Sequence, residues 1–153
     1  MPAALKPLWR CPKCGARLVT RYMWHSCGKF TLAALFARSE PSLLPLFRKF
    51  TALVKKSGRV TMIPQKSRAV FMDRVRFASV YPRKDWFLAG FILGRRIRHR
   101  RIVKVENFGP AILYHYVKIS SPADFDARLL GWLRESYRYY GRQGRQGQKP
   151  VRG

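Results

Sequence analysis

The 153-residue chain has few acidic side chains, 7 Asp and Glu against 32 Lys and Arg, which gives a formal net charge of +25. Self-repulsion on this scale is tolerated best when a polyanion or dense counterions neutralise it. The common metal-dependent nucleases need clustered carboxylates, which are scarce here, and the sequence contains neither a Gly-x-Ser-x-Gly elbow nor a phosphate-binding loop. RNA or DNA is therefore the expected partner, and a generally soluble cationic surface is the alternative.

Long apolar runs and cysteines are scarce as well. No stretch approaches the ~18 consecutive apolar residues of a membrane-spanning helix, and the N-terminus lacks the apolar core of a secretory signal. These absences predict a cytoplasmic protein without a membrane segment. The three cysteines cannot all pair with one another, and a reducing compartment would keep them as thiols that can bind a metal.

All the cysteines fall in one short window together with a histidine. Cys11 and Cys14 form a Cys-x-x-Cys turn in which Gly15 can adopt a positive φ, and His25 and Cys27 can point to one side of the chain. Four protein ligands would fill a tetrahedral site, so the set predicts a structural rather than a catalytic zinc ion. The alternative is a redox-active Cys-x-x-Cys turn beside an unrelated histidine and cysteine.

The remaining pattern predicts an α+β protein, in which an antiparallel sheet is covered by N- and C-terminal helices and preceded by a small zinc knuckle. Helices are expected over residues 31–37, from Ser42 to about Gly58, and from Ser121 onward with Pro122 in the first turn. Short runs rich in aromatic and β-branched residues predict strands. These runs cover residues 60–63, 69–72, 77–81, 86–93, 102–105 and 112–119.

The composition divides the chain into three parts. Residues 1–30 form a zinc-ribbon-like segment, residues 31–140 the α+β domain, and residues 141–153 a basic tail. The tail contains no aliphatic residue except Val151, and such a composition predicts disorder.

The densest cationic segment follows the strand over residues 86–93, and a turn before that strand adds further charge. Arginine suits bidentate phosphate contacts, and Trp24 near the cysteines is a candidate either for stacking on bases or for shielding the metal. His99 is interpreted as a loop histidine, and His115 as a core or edge histidine. The residues predicted to contact nucleic acid are Arg95, Arg96, Arg98, Arg100, Arg101, Lys104, Arg83, Lys84 and Trp24.

The favoured hypothesis is non-catalytic binding of RNA or DNA through phosphate contacts, with low sequence specificity. One alternative is a protein-interaction or small-ligand-binding module with a structural zinc ion, whose basic segment recruits an acidic partner. A second alternative is an enzyme acting on nucleic acid, with His99 as its candidate base. Phosphate-dominated binding would weaken steeply with salt, which distinguishes it from the first alternative.

Three groups of motifs occur in a fixed order: residues 9–15 with 25–27, residues 76–78 with 82–84, and residues 105–110 with the closing helix. In these motifs the chain resembles the bacterial domain-of-unknown-function 5655 family in its single-domain form with an N-terminal zinc-ribbon-like segment. The resemblance extends from about Trp9 to Tyr137 and leaves out the tail from Gly141 to Gly153. It implies this architecture, and it implies no particular activity.

Overall fold

The computed structural model describes residues 7–21, 23, 25 and 27–143. Two short strands, β1 (Trp9–Arg10) and β2 (Arg17–Leu18), form a hairpin, and the other strands form a six-stranded sheet in the order β3-β4-β5-β6-β8-β7. All neighbouring strands are antiparallel, as predicted. The strands of this sheet are β3 (Thr61–Pro64), β4 (Ala69–Met72), β5 (Arg76–Pro82), β6 (Phe87–Leu93), β7 (Ile102–Asn107) and β8 (Leu113–Ile119).

Three α-helices accompany the sheet. They are α1 (Leu32–Leu35), α2 (Leu43–Lys55) and α3 (Ala127–Ser136), and α3 continues into a π-helical turn, Tyr137–Gly141. In the part of the chain that the structure describes, no helix is both long enough and apolar enough to cross a bilayer. The mixed architecture with covering helices agrees with the predicted α+β class.

The third helix begins later than the sequence predicts. Ser121 and Asp124 form a capping box, but it closes only a 3-10 turn, Pro122–Asp124. Phe125 then leaves the helical conformation, and its ring lies 6.1 Å from the ring of Phe50. Asp126 is the cap of α3, because its side chain accepts a hydrogen bond from the backbone N–H of Leu129 at 2.8 Å.

One face of the sheet is buried under α2 and α3, and we call it the helix face. Apolar residues of α2 recur at helical spacing, which places them on one side of the helix. Phe50 is fully buried there, with its ring 5.7 Å from that of Phe71 and 5.5 Å from that of Phe87. From α3, Leu129 and Leu133 join the same cluster. This face therefore holds the main core.

The opposite face, which we call the open face, is covered at β3 and β4 by the N-terminal lobe, residues 7–28. Ala16 and Leu18 of the lobe form a second, smaller cluster with Ile63, Val70 and Met72. Leu18 is only 1 % exposed, so the lobe is anchored to the sheet by apolar burial.

Farther along the open face lie two tyrosines from alternate positions of β8, Tyr114 and Tyr116. The ring of Tyr114 lies over Gly90 of β6, where a Cβ atom would come within 2.2 Å of the ring. The Tyr114 and Tyr116 ring centroids are 4.9 Å apart. Residues 113–119 thus alternate between the two faces, because His115, Val117 and Ile119 are buried on the helix face.

The predicted tail begins inside the folded core. Gly141 is buried, and its carbonyl accepts hydrogen bonds from the backbone N–H groups of Arg74 and Val75 at 2.9 and 3.3 Å. Residues 144–153, the remainder of the predicted tail, lie outside the described part of the chain.

Candidate functional site

Cys11, Cys14, His25 and Cys27 come together in the N-terminal lobe, as the sequence predicts. One ligand atom from each lies within 4.8 Å of the others, and the cysteines are free thiols. The Sγ atoms of Cys11 and Cys27 are 3.7 Å apart. Two sulfurs bound to one tetrahedral metal at about 2.3 Å would be about 3.8 Å apart, so the spacing suits a metal ion. This cluster could therefore hold a metal.

Tight turns create this arrangement. The backbone N–H of Cys11 donates to the carbonyl of Ala16 and that of Gly15 donates to the carbonyl of Cys11, both at 2.8 Å. Gly15 has the expected positive φ of 78°, and Cys27 and Gly28 adopt φ values of 51° and 77°. Two left-handed turns therefore direct the two halves of the ligand set toward each other.

The histidine is oriented as a metal ligand would be. His25 Nδ1 lies 3.2 Å from the carbonyl oxygen of Met23, which accepts a hydrogen from this nitrogen. The other nitrogen, Nε2, is buried and has no hydrogen-bond partner in the described structure. A buried imidazole nitrogen with a free lone pair is costly to leave unpaired, and a ligating histidine commonly donates its second nitrogen to a carbonyl in this way.

The pKa values of Cys11 and Cys27 are shifted in opposite directions. The backbone N–H of Cys14 stabilises the Cys11 thiolate and lowers the pKa of Cys11 to about 6, against the opposing effect of burial. The hydrogen bond between Cys27 and Cys11, together with burial, raises the pKa of Cys27 to about 11. A metal ion bound by both sulfurs would displace the proton between them and stabilise both thiolates.

The cationic loop, residues 94–101, is attached to the helix face at alternate positions. Ile97 is 9 % exposed, and its backbone N–H donates to His115 Nε2 at 2.9 Å. His99 Nδ1 accepts from the backbone N–H of Arg101 at 3.1 Å, and its ring packs edge-on against Trp132 at 5.4 Å. The arginines that flank these anchors, Arg96, Arg98 and Arg100, are exposed.

Arg95, Arg101 and Lys104, three further cations of the predicted surface, are engaged with acidic groups. Arg95 donates to both carboxylate oxygens of Glu135, at 3.0 and 2.8 Å. Arg101 pairs with Asp126 at 2.9 Å, and Lys104 pairs with Glu106 at 3.3 Å. Within the described residues, Arg96, Arg98 and Arg100 form no ion pair. The structure thus divides these six cations into a paired set and an unpaired set.

Arg83 and Lys84 lie apart from Arg95, in the turn between β5 and β6. Backbone contacts hold this turn: the Ser39 hydroxyl donates to the Arg83 carbonyl, and the Glu40 N–H donates to that of Lys84, both at 2.6 Å. The seven residues of β6 separate this turn from Arg95. At the rise per residue of a β-strand, they span about 23 Å. Trp24 lies outside the described residues.

His115 connects the cationic loop to the core, and its interpretation as a core histidine is confirmed. It is 0 % exposed, stacks on Phe91 at 5.9 Å, and lies within hydrogen-bonding distance of the Leu113 carbonyl through Nδ1. Because Nε2 accepts from the Ile97 N–H, the ring is neutral. Burial lowers the pKa of His115, and the nearby Arg96 adds to this effect.

We expect His115→Phe to lower the free energy of unfolding by about 1–3 kcal/mol at neutral pH, because the buried Ile97 N–H loses its acceptor. The lowered pKa means that stability from neutral His115 is present above the unfolded pKa of about 6.5 and is lost as the pH falls toward the folded pKa. Denaturant unfolding of the parent protein and the variant between pH 7.5 and 5 measures both effects. An unchanged pH dependence in the variant would contradict the second.

Two further arginines, Arg68 and Arg76, lie on the open face, outside the predicted set of nucleic-acid contacts. Arg68 precedes β4 and donates to Tyr81 Oη at 3.0 Å. A register shift between Phe71 and Met72 pairs Met72 with Arg76 and so places Arg76 on the open face. The sequence carried no signal for this position, because it depends on an irregularity in the strand pairing.

A protein-family model described as "Domain of unknown function (DUF5655)" matches residues 33–139, which is more than half of the chain. The match begins after the cysteine cluster, so it covers the α+β part and does not extend to the N-terminal segment included in the resemblance. Comparison with curated proteins and with solved structures gave no match.

Proposed function

We propose that this chain, which belongs to the DUF5655 family, is a zinc-stabilised protein that binds RNA or DNA through phosphate contacts with low sequence specificity. The observation that carries the proposal is the anchored loop of residues 94–101. Its alternation of buried and exposed positions presents Arg96, Arg98 and Arg100 to solvent, unpaired within the described residues.

The anchoring of this loop favours binding. Ile97 and His99 are fixed to the helix face by hydrogen bonds and ring packing, so the backbone that carries the arginines is already ordered. Less conformational entropy is then lost when a ligand binds. Guanidinium groups suit bidentate phosphate contacts, and the net charge of +25 favours association with any polyanion.

Zinc is the metal that best fits the lobe. Three thiolates and one imidazole form a tetrahedral set that zinc prefers, and four protein ligands leave no open position for a substrate. In this proposal Cys11, Cys14, His25 and Cys27 hold the ion and stabilise the lobe, and they take no part in chemistry. Zinc content of the purified protein, measured by mass spectrometry, should equal one ion per chain.

A salt titration tests the nucleic-acid proposal. We expect labelled single- and double-stranded RNA and DNA to bind with a log affinity that falls linearly with log salt, at a slope indicating about four or more phosphate contacts. Oligonucleotides of scrambled sequence should bind with similar affinity. Absence of binding to all four forms at physiological salt would overturn the proposal and favour an acidic protein or a small ligand as partner.

A further inference from the structure

Trp86, in the turn between β5 and β6, packs in neither of the two apolar clusters of the described chain. Its side chain is partly exposed. Trp132, by contrast, belongs to the main core, and Trp9 packs against the small cluster under the lobe. Neither core packing nor contact with the lobe therefore accounts for the position of Trp86.

Two cations lie over the ring of Trp86. Lys118 Nζ is 4.9 Å from the ring centroid, and Arg83 Cζ is 5.9 Å from it. Lys118 alternates along β8 with residues that are buried on the helix face, so its side chain and the indole ring lie on the open face. Both cations are exposed, and within the described residues neither forms an ion pair, although Asp85 lies in the same turn. Their charges are therefore available to an external anion.

The combination of rings and cations continues across the open face. The ring centroids of Tyr81 and Tyr116 are 6.2 Å apart, and Arg68 Cζ and Lys104 Nζ lie over these two rings in turn, each at 5.9 Å. Tyr81 is paired in register with Leu88, two residues after the tryptophan, so this group of rings adjoins the turn. Tyr116 is only 6 % exposed and supports its neighbours. The partly exposed indole is therefore the better surface for an aromatic ligand.

Rings beside unpaired cations suit a single strand of nucleic acid. A base of a single strand can stack on an aromatic side chain while nearby cations contact the adjacent phosphates. The bases of a duplex are already stacked on one another, so a duplex would offer this surface only its phosphates. Cation–π contacts at exposed positions are weak, so a base can replace the Lys118 ammonium over the indole while the ammonium moves to a phosphate.

We propose that the open face binds a single strand of RNA or DNA, with one base stacked on Trp86 and with Arg83 and Lys118 contacting the phosphates beside it. This inference rests on the proposed function, to which it adds a ligand form and a second contact surface. The turn lies at one end of β6 and the cationic loop at the other, so substitutions at the turn leave residues 94–101 unchanged.

The test is a titration of the full zinc-loaded chain with single-stranded RNA and DNA of about ten nucleotides, a length within the site sizes of single-strand-binding domains, and with the matching duplexes. We expect the indole N–H signal of Trp86, identified in NMR by its loss in Trp86→Phe, to shift saturably with at least one single strand and not with its duplex. An unshifted signal while single strands bind, or an equal shift with the duplex, would overturn the inference and leave the proposed function standing. Absence of binding by every form would overturn both.

Trp86→Ala tests the stacking contact by its salt dependence. We expect it to weaken single-strand binding at least about fivefold at every salt concentration, with an unchanged salt slope, because stacking releases no counterions. Trp86→Phe keeps an aromatic ring and should retain most of the affinity, whereas Lys118→Gln should lower the slope by about 0.7.

Phe108→Ala is the matched control, because it removes an exposed ring that follows β7, at the far edge of the sheet. It should bind single strands as the parent protein does. Equal losses in this control and in Trp86→Ala would show that any exposed ring contributes, and would overturn the assignment to Trp86. Unchanged affinity in Trp86→Ala would overturn it as well.

Discussion

Removal of the metal by a strong chelator is expected to unfold the N-terminal lobe, about residues 9–28, while the six-stranded sheet stays folded. The lobe contains one hairpin of two two-residue strands and a small apolar cluster, which cannot offset the conformational entropy of ordering this segment. Structural zinc sites contribute roughly 10–16 kcal/mol of apparent binding free energy at neutral pH. Hydrogen exchange should show loss of amide protection in the lobe and protection retained in β5, β6 and β8.

Chelation should also weaken the sheet without unfolding it. Leu18 covers Val70 and Met72 on the open face, and a buried leucine contributes about 1.5–3 kcal/mol. The main core lies on the other face under α2 and α3, and no described residue of the lobe belongs to it. We therefore expect a lower Tm for the metal-free protein, with a cooperative transition that remains visible by circular dichroism.

Variants separate a metal effect from a general effect of the chelator. Cys11→Ser should behave as the chelated protein does, because it removes a buried ligand. Lys13→Ser changes an exposed residue of the same turn and should retain one metal ion per chain. Collapse of the whole fold on chelation would contradict the expected independence of the core. A lobe that stayed ordered without metal would favour the redox interpretation of the Cys-x-x-Cys turn.

The fold could be predicted from the sequence largely because its signals are local. The run over residues 69–72 coincides with β4, and the turn at Pro82 closes between β5 and β6 through a hydrogen bond from the Arg83 N–H to the Trp86 carbonyl. The predicted start of the last helix, at Ser121, was wrong. The sequence offers two capping residues five positions apart, Ser121 and Asp126, and α3 begins after the second. Between them lies Phe125, whose ring packs against that of Phe50 on α2, a contact that the sequence does not reveal.

The candidate sites differ in how much of each could be predicted from residues that are close together in the sequence. The spacing of Cys11, Cys14, His25 and Cys27 was sufficient to predict a cluster that the structure brings together. The cationic loop was visible as a run, but which arginines are neutralised depends on acids about 25 to 40 residues away, at Asp126 and Glu135. The position of Arg76 on the open face depends on strand register and on a bulge, which composition does not encode.

Replacing Arg96, Arg98 and Arg100 together by glutamine is expected to reduce the salt slope of nucleic-acid binding by about 2–3. Each phosphate contact contributes about 0.7 to 0.9 to this slope, because it releases condensed counterions. If counterion release accounts for the whole contribution of these three arginines to binding, the affinity for nucleic acid at 0.15 M salt should fall about 10²-fold. Fluorescence anisotropy at several salt concentrations measures both quantities, and unfolding in denaturant should remain close to that of the parent protein because the three side chains are exposed.

Two comparison variants show whether the position of the charges matters. Replacing Arg48, Lys49 and Lys55 by glutamine removes the same net charge from exposed positions of α2, and it should leave the slope within about one unit of the parent value. Replacing Arg95 and Arg101 removes cations whose charge Glu135 and Asp126 already offset, so each should change the slope less than an unpaired arginine does. An equal loss in the α2 variant and the loop variant would mean that the nucleic acid responds to total charge alone. A larger loss in the loop variant would locate the phosphate contacts at residues 94–101, where anchoring by Ile97 and His99 holds the backbone in place before any ligand arrives.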